Sequence, residues 1–333
     1  MLEKLKPLVS ERDFIFLSQI YQNAKTIHLD RILFPYTDHG IKHSDRILQD
    51  LMELFPELFE VNNTKKLSPT EVFCIASSIY LHDVGIQLYK DDSLRKYCNE
   101  NKIDVVELSD KDLFVRKHHH ALSKYWILDS VSRKPMHSIS YVGEKDLAPF
   151  VANICESHGI DFELYDTYTD SESYNGESLR MGLLCTLLSL GDALDCDRRR
   201  ITYEKLKNED VPLDSRIHWM KHYYVNSVLV KKNYLKLFYH FPKCSNSADE
   251  AVYKYYFQRQ TSYWIQKCKE IRGKFLLDAN ISYDIVQSVK FDNFKDILTD
   301  EEFKYVKLCA IRIIENEIYE LNQLKQQLKS ESI

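Results

Sequence analysis

The chain has 333 residues, 44% of them hydrophobic, with only 8 glycines and 8 prolines. That supplies a sizeable core and argues against all-β or collagen-like chains. A formal net charge of -5 excludes a broadly basic coat for nucleic acid and leaves only local basic patches for that role. Eight cysteines without a C-x-x-C pair point to reduced thiols in a cytoplasmic protein. No apolar run approaches the roughly 18 residues of a membrane span, and the charged "MLEKLKPLVSERDF" lacks the apolar centre of a signal peptide.

From the N-terminus, residues 10–60 read as helices broken at "FPYTDHG". "SPTEVFCIASSIYLH" has a defined start: Ser68 as N-cap, Pro69 at N1 and Glu71 closing a capping box. Val72, Phe73, Ile75, Ala76, Ile79 and Tyr80 follow at helical spacing. This helix runs out at His82 and Asp83, with Gly85 letting the chain turn away. Further helices are expected over 109–130, carrying "RKHHHALS", over 147–158, ending in "ICESHG", and over 177–195, the most apolar, with Asp192 in its last turns. Beyond about residue 200, "YYVNSVLVKKNYLKLFYHF" alternates and is rich in valine and tyrosine, which predicts a β-hairpin over 222–241 turning near Lys232 and Asn233. Helix returns after Ala248, and a long amphipathic helix opens at a Thr299–Glu302 capping box. The expectation is a mainly α protein: a helical domain over 1–200 and a C-terminal elaboration over 201–333, the hairpin plus helices, packed on it.

His82 and Asp83 need an explanation, because a buried polar group without a partner costs on the order of 2–7 kcal/mol. Histidines and carboxylates fall one set per helix end: His39 and His43, His82 with Asp83, His118 to His120, His158, then Asp192. The gaps between sets are 34 to 39 residues, so successive helices of a bundle can each deliver a ligand to one point. Imidazoles with carboxylates suit Mn, Fe, Co, Ni or Zn, with Mg less favoured. His39 lies four residues before His43 and shares its face on a helix. Each residue also has a plainer alternative. His43 stands among polar Lys42, Ser44 and Asp45, as a surface histidine does. The histidine triplet could span an exposed face. His158 fits a helix C-terminus on dipole grounds alone. Asp192 could pair with Arg180 or Arg198. The charge run of Asp195 and Arg198–Arg200 is either a solvated face or a phosphate-binding edge, since guanidinium forks match phosphate. Arg116 and Lys117 face the same choice. Trp219, Tyr223 and Tyr224 fit a core better than a base-stacking platform.

"HSDRIL", "LHDVG" and "LGDALD", in that order, resemble the three signatures of the HD-domain metal-dependent phosphohydrolase superfamily over residues 30–200. The resemblance implies an HD-domain helical bundle with His43, His82, Asp83 and Asp192 as metal ligands. "HHALS" resembles the element that supplies a second-metal ligand in dinuclear members, here His119. "ESHG" resembles the His-His-Gly element of that branch, giving His158, with Ser157 in place of the first histidine. "FPYTDHGIKHSDRIL" is also similar to the opening of the HD variant of bacterial conflict and anti-phage systems, often fused to an Hsp90-like ATPase; no ATPase motif is visible here.

The resemblance implies two divalent ions, with Asp83 touching both. Beside it, the residues themselves offer His39, as a phosphate contact or a support for the ligands, and His120 as further catalytic candidates, and Arg116, Lys117 and Arg198 as candidate contacts of the substrate phosphate. The implied activity is hydrolysis of a phosphoester or phosphoanhydride in a nucleotide or short nucleic acid. A homo-oligomer and an operon-encoded partner protein are both compatible with it. The alternatives are a single-metal dNTP triphosphohydrolase and a catalytically silent HD module that binds a nucleotide or a partner. The cyclic-dinucleotide branch carries "HHExxDGxGYP", whereas this chain reads "SHGIDFELYD". Its basic clusters are short, Arg116–Lys117, Arg198–Arg200 and Lys231–Lys232, which favours small nucleotides or short single strands over long duplexes.

Overall fold

Local capping chemistry starts the helix that leads to the candidate site. In the computed structural model, Ser68 Oγ accepts the Glu71 N–H at 3.2 Å and the Glu71 carboxylate accepts the Ser68 N–H at 2.9 Å. The structure describes residues 1–28, 40–87, 91–132, 147–159, 172–201, 203–207, 211–294, 296 and 298–330, with the backbone alone at 91, 130–132 and 320–330. His39 and most of the "FPYTDHG" break lie outside the described residues. The architecture is mainly α, with small sheets.

The α-helices longer than four residues are numbered in chain order. The first seven are α1 (Glu11–Ile27), α2 (Ile41–Leu54), α3 (Pro69–Leu81), α4 (Asp91–Glu100), α5 (Lys111–Ser132), α6 (Ala148–Ser157) and α7 (Met181–Leu194). In α2, His43, Ile47, Leu51 and Leu54 recur at four, four and three residues and are all buried. His43 therefore belongs to the core stripe of its helix, and the surface alternative fails. Every residue of α3 from Glu71 to Leu81 is buried, as is nearly all of α7.

Glu71 does a second job. Its carboxylate takes the Arg180 side chain at 2.6 and 2.9 Å and the Arg180 N–H at 2.9 Å. Arg180 precedes α7, at the opposite end of that helix from Asp192, so it is not the partner that Asp192 was offered above.

The helix that the sequence predicts over 177–195 is shorter, because a hairpin takes its first residues. Strands β1 (Glu172–Tyr174) and β2 (Glu177–Leu179) pair antiparallel, Tyr174 opposite Glu177. Asn175 and Gly176 turn between them at φ 50 and 81. Both are left-handed, the geometry of a two-residue hairpin that Asn-Gly favours. Helix begins only at Met181.

The remaining elements are α8 (Leu213–Tyr224), β3 (Val225–Lys231), β4 (Tyr234–Pro242), α9 (Ser247–Tyr253), α10 (Arg259–Ile271), α11 (Gly273–Asp278), β5 (Asp284–Asp292) and α12 (Asp300–Ser330). The hairpin β3–β4 turns through Asn233 at φ 55. A third strand, β5, joins it in the order β3-β4-β5, which the sequence reading had not anticipated. The start of α12 follows its signal: Glu302 accepts the Thr299 N–H at 2.8 Å and Thr299 accepts the Glu302 N–H at 3.3 Å.

The chain divides into two units that interleave along the sequence. The first is Met1–Asp195 with Val228–Lys236 and Trp264–Val286; the second is Cys196–Ser227 with Leu237–Tyr263 and Gln287–Ile333. The second unit has an aromatic core in which Trp219, Tyr224, Tyr239, Phe241 and Phe257 are buried. Trp219 and Tyr224 are thus packing residues. Among the described residues no single helix is long and apolar enough to cross a membrane.

Candidate metal centre

Three helices of the first unit end at one place. His82 caps the C-terminus of α3 and His158 that of α6, while Asp192 lies in the last turn of α7. Helix C-termini carry partial negative charge, so the fold itself makes this region attractive to a cation. To it α2 adds His43 and α5 adds His119.

The imidazoles are held by one recurring bond. His82 Nδ1 lies 2.9 Å from the Ile79 carbonyl, His119 Nδ1 2.8 Å from that of Arg116, and His158 Nδ1 2.5 Å from that of Cys155. Each carbonyl is three residues upstream and can only accept, so each Nδ1 donates. His43 differs: its Nδ1 meets the Asp195 carboxylate at 2.6 Å. With Nδ1 carrying the proton, Nε2 is left as the ligating atom.

All four Nε2 atoms converge on two carboxylates. His43 Nε2 is 3.2 Å from Asp192 Oδ1 and 3.7 Å from Asp83 Oδ2, and His82 Nε2 is 3.1 Å from Asp83 Oδ2. The other oxygen of Asp83, Oδ1, lies 3.8 Å from His119 Nε2 and 3.7 Å from His158 Nε2. The ligand atoms of His43, His82 and Asp192 form one group and those of Asp83, His119 and His158 another, each with all atoms within 4.8 Å of one another.

This donor set fits divalent metal. His119 Nε2 and His158 Nε2 face each other at 3.0 Å. Since both rings donate through Nδ1, neutral rings present lone pair to lone pair there, a contact that needs a cation or a proton to be favourable. Ionisation tells the same story. Burial alone pushes His82 down, but Asp83 and Asp192 outweigh it and hold His82 up at about 9. Burial pushes Asp192 up, but the hydrogen bond and charge of His43, with His82, keep it well below the usual carboxylate range. Burial, with His82 and His119 nearby, pushes His158 down to about 3, so its ring is neutral and able to ligate. Four imidazoles and two carboxylates suit Mn, Fe, Co, Ni or Zn.

The other candidates divide. Burial, then His119 and His118, pushes His120 down to about 4. Its ring centroid is 6.2 Å from that of His158, and its Nδ1 is buried without a hydrogen-bond partner among the described residues. His120 thus stands beside the centre. Arg116 contributes the carbonyl that holds His119. Lys117 is two residues from His119, about 200° around the helix, and its ammonium lies 3.6 Å from Glu107; the structure does not bring it to the cluster. His118 packs on Phe114, ring centroids 4.5 Å apart. Arg198 belongs to the second unit, its guanidinium 5.4 Å from the Tyr223 ring centroid. Ser157 Oγ donates to the Ile154 carbonyl at 2.7 Å, so this hydroxyl is turned back onto its own helix.

Gly85 has a different purpose from the one expected. It lies in the helical turn Val84–Gln87 and is not among the residues of positive φ. A Cβ there would stand 2.2 Å from the His119 carbonyl oxygen and 2.6 Å from Ser123 N. Glycine is needed because α5 passes directly over the His-Asp turn. Ser123 fastens the crossing: its Oγ accepts the Gly85 N–H at 2.9 Å and reaches the carbonyls of His82 at 2.5 Å and His119 at 2.9 Å. Ser123→Ala is expected to cost about 2 kcal/mol, the scale of a buried polar group left unpaired, measured as a lower denaturant midpoint with unchanged slope.

Sequence reasoning misplaced Asp195. Its side chain is fully buried, with Arg46 donating to both oxygens at 2.6 and 2.8 Å. It is neither a solvated face nor a phosphate edge. The available signal was a matched spacing: His43-x-x-Arg46 on one helix and Asp192-x-x-Asp195 at the end of another, each pair sharing a face.

Comparison with family models matches residues 34–267 to HD-CE. No curated protein and no solved structure matches the chain. The matched segment includes all six residues of the two ligand groups and covers more than two thirds of the sequence. The chain belongs to the HD-CE family.

Proposed function

We propose that the protein is a metal-dependent phosphohydrolase that opens a phosphoester or phosphoanhydride bond in a nucleotide or short nucleic acid. The observation that carries this is Asp83: each of its oxygens faces a different pair of imidazoles. A divalent ion held by such groups supplies Lewis-acid polarisation of a phosphoryl oxygen and activation of water near neutral pH. In this proposal His43, His82 and Asp192 hold one ion, His119 and His158 a second, and Asp83 serves both. His120, neutral and beside the centre, is the candidate proton-transfer group.

Access favours small or flexible substrates. The His43, His82, Asp83 and His158 side chains are at most 4% exposed, whereas Asp192 is 30% and His119 23% exposed. Asp192 and His119 are thus the ligands that an incoming phosphate would meet first. A nucleotide or a strand end can reach them; the middle of a stiff duplex fits poorly. A dNTP can reach the centre in the same way.

The test is a panel of dNTPs, NTPs, cyclic dinucleotides and single-stranded and duplex DNA, each with Mn, Co, Ni and Mg. Turnover of nucleotides or single strands is expected, lost on chelation and restored by adding metal back. Rapid cutting of duplex DNA without nucleotide turnover would reverse the substrate assignment. Silence on every substrate, in protein shown by elemental analysis to hold metal, would replace the enzyme with a binding module.

A further inference from the structure

His43 is the one imidazole of the four that is oriented by a carboxylate. The other three lean on carbonyls three residues upstream in their own helices, an arrangement that comes with the helix. At His43 the Nδ1 partner is the Asp195 carboxylate instead. The ring lies between two carboxylates, Asp195 Oδ2 at 2.6 Å from Nδ1 and Asp192 Oδ1 at 3.2 Å from Nε2. Its proton therefore has two places to go. On Nδ1 it leaves Nε2 open to ligate. On Nε2 it blocks that lone pair and occupies Asp192, a ligand of the same group.

The contest is settled by Arg46. Its fork grips Asp195 with Nε to Oδ1 at 2.6 Å and Nη2 to Oδ2 at 2.8 Å. This two-point hold fixes the carboxylate plane and aims Oδ2 at His43. Arg46 is three residues after His43 on α2, while Asp195 is three residues after Asp192 beyond the end of α7. The two i, i+3 pairs lock together: His43 meets Asp192 on its ligating side and Asp195 on its supporting side. Asp195 is fully buried, so it has no access to substrate.

We infer that Asp195, held by Arg46, is the positioning residue that keeps the proton of His43 on Nδ1, and that it thereby sets the metal affinity of the His43–His82–Asp192 group. This rests on the metal-centre assignment above. It predicts asymmetry, because in the Asp83–His119–His158 group both imidazoles are held at Nδ1 by helix carbonyls rather than by Asp195.

The experiment is a calorimetric titration of chelator-treated full-length protein with Zn(II), alongside NMR of the His43 ring protons in Zn-loaded protein. In Asp195→Ala, one binding step is expected to weaken by about 10- to 100-fold, the usual cost of losing such a support, while the other stays in place. The His43 Nδ1 proton is expected to exchange slowly in the wild type and rapidly in this variant. In Asp195→Asn an amide oxygen in the place of Oδ2 still accepts from His43 Nδ1 and Arg46 Nη2, and only the Arg46 Nε bond is lost, so the variant restores the slow Nδ1 proton and part of the affinity. A purely structural role does not predict that rescue. If Asp195→Ala fails to fold, the double variant Arg46→Met with Asp195→Ala removes both charges together and is read the same way. Wild-type protein that binds Zn(II), with an alanine variant that matches it in both steps, overturns this inference alone. Wild-type protein that takes up no Zn(II) overturns the metal centre itself.

Discussion

Asp83→Ala is expected to reduce phosphate hydrolysis by at least about a thousandfold, a loss of roughly 4 kcal/mol of transition-state stabilisation, and to remove most of the bound metal. No other residue in the centre stands in its position. Oδ2 faces His43 and His82, Oδ1 faces His119 and His158, so its removal strikes both ligand groups. Each histidine serves one group only, and its loss is expected to cost less. Asp83→Asn separates charge from shape, since the amide keeps the volume but offers a single acceptor. Elemental analysis and activity should be read together with circular dichroism. A folded Asp83→Ala protein with full metal content and wild-type activity would show that the doublet is structural.

Gly85→Ala should be the most damaging single-methyl change at the site. The added carbon would lie 2.2 Å from a backbone oxygen of α5, which cannot swing aside as a side chain can. The only relief is for α5 to lift away from the His-Asp turn. Overpacking of this kind costs about 1–3 kcal/mol and sometimes more, or roughly 2–12 °C in the melting temperature of a unit this size. Lifting α5 also withdraws His119 and loosens Ser123 from the carbonyls it reaches. The variant should therefore lose activity even at temperatures where it remains folded. A melting temperature within a degree of wild type, with intact activity, would show that the crossing is looser than the geometry says.

The two predictions draw on information that the sequence presented unequally. Ser68 and Glu71, or Thr299 and Glu302, are three residues apart, and capping is decided within one helical turn, so these starts were legible. The metal-facing residues were legible because imidazoles and carboxylates at helix ends have few cheaper explanations. Asp195 was obscured by company: it adjoins a run of arginines, and composition there suggests solvent, while its true partners, His43 and Arg46, are about 150 residues away. Gly85 was misjudged because a glycine after a helix usually marks a turn, and only the crossing of α5 shows that space is the issue. Strand β5 offered almost nothing. Its Ile285, Val289 and Phe291 alternate over one short run only, none of its residues is buried, and its pairing with β4 joins segments about 40 residues or more apart. The Asn175-Gly176 hairpin was the opposite case, a strong local signal overshadowed by the apolar run that follows it.

The clamp between Glu71 and Arg180 has a further consequence. It joins the first turn of α3 to the residue just before α7, and both helices then run to the metal centre. The two ligand-bearing ends are thus measured from a shared origin, in steps of about 1.5 Å and 100° per residue. One residue inserted between Pro69 and His82, or between Met181 and Asp192, would displace a ligand by that step and swing it to another side of its helix. Over these two stretches residue count is constrained as tightly as residue identity, so families of this chain should tolerate changed letters there far better than changed lengths.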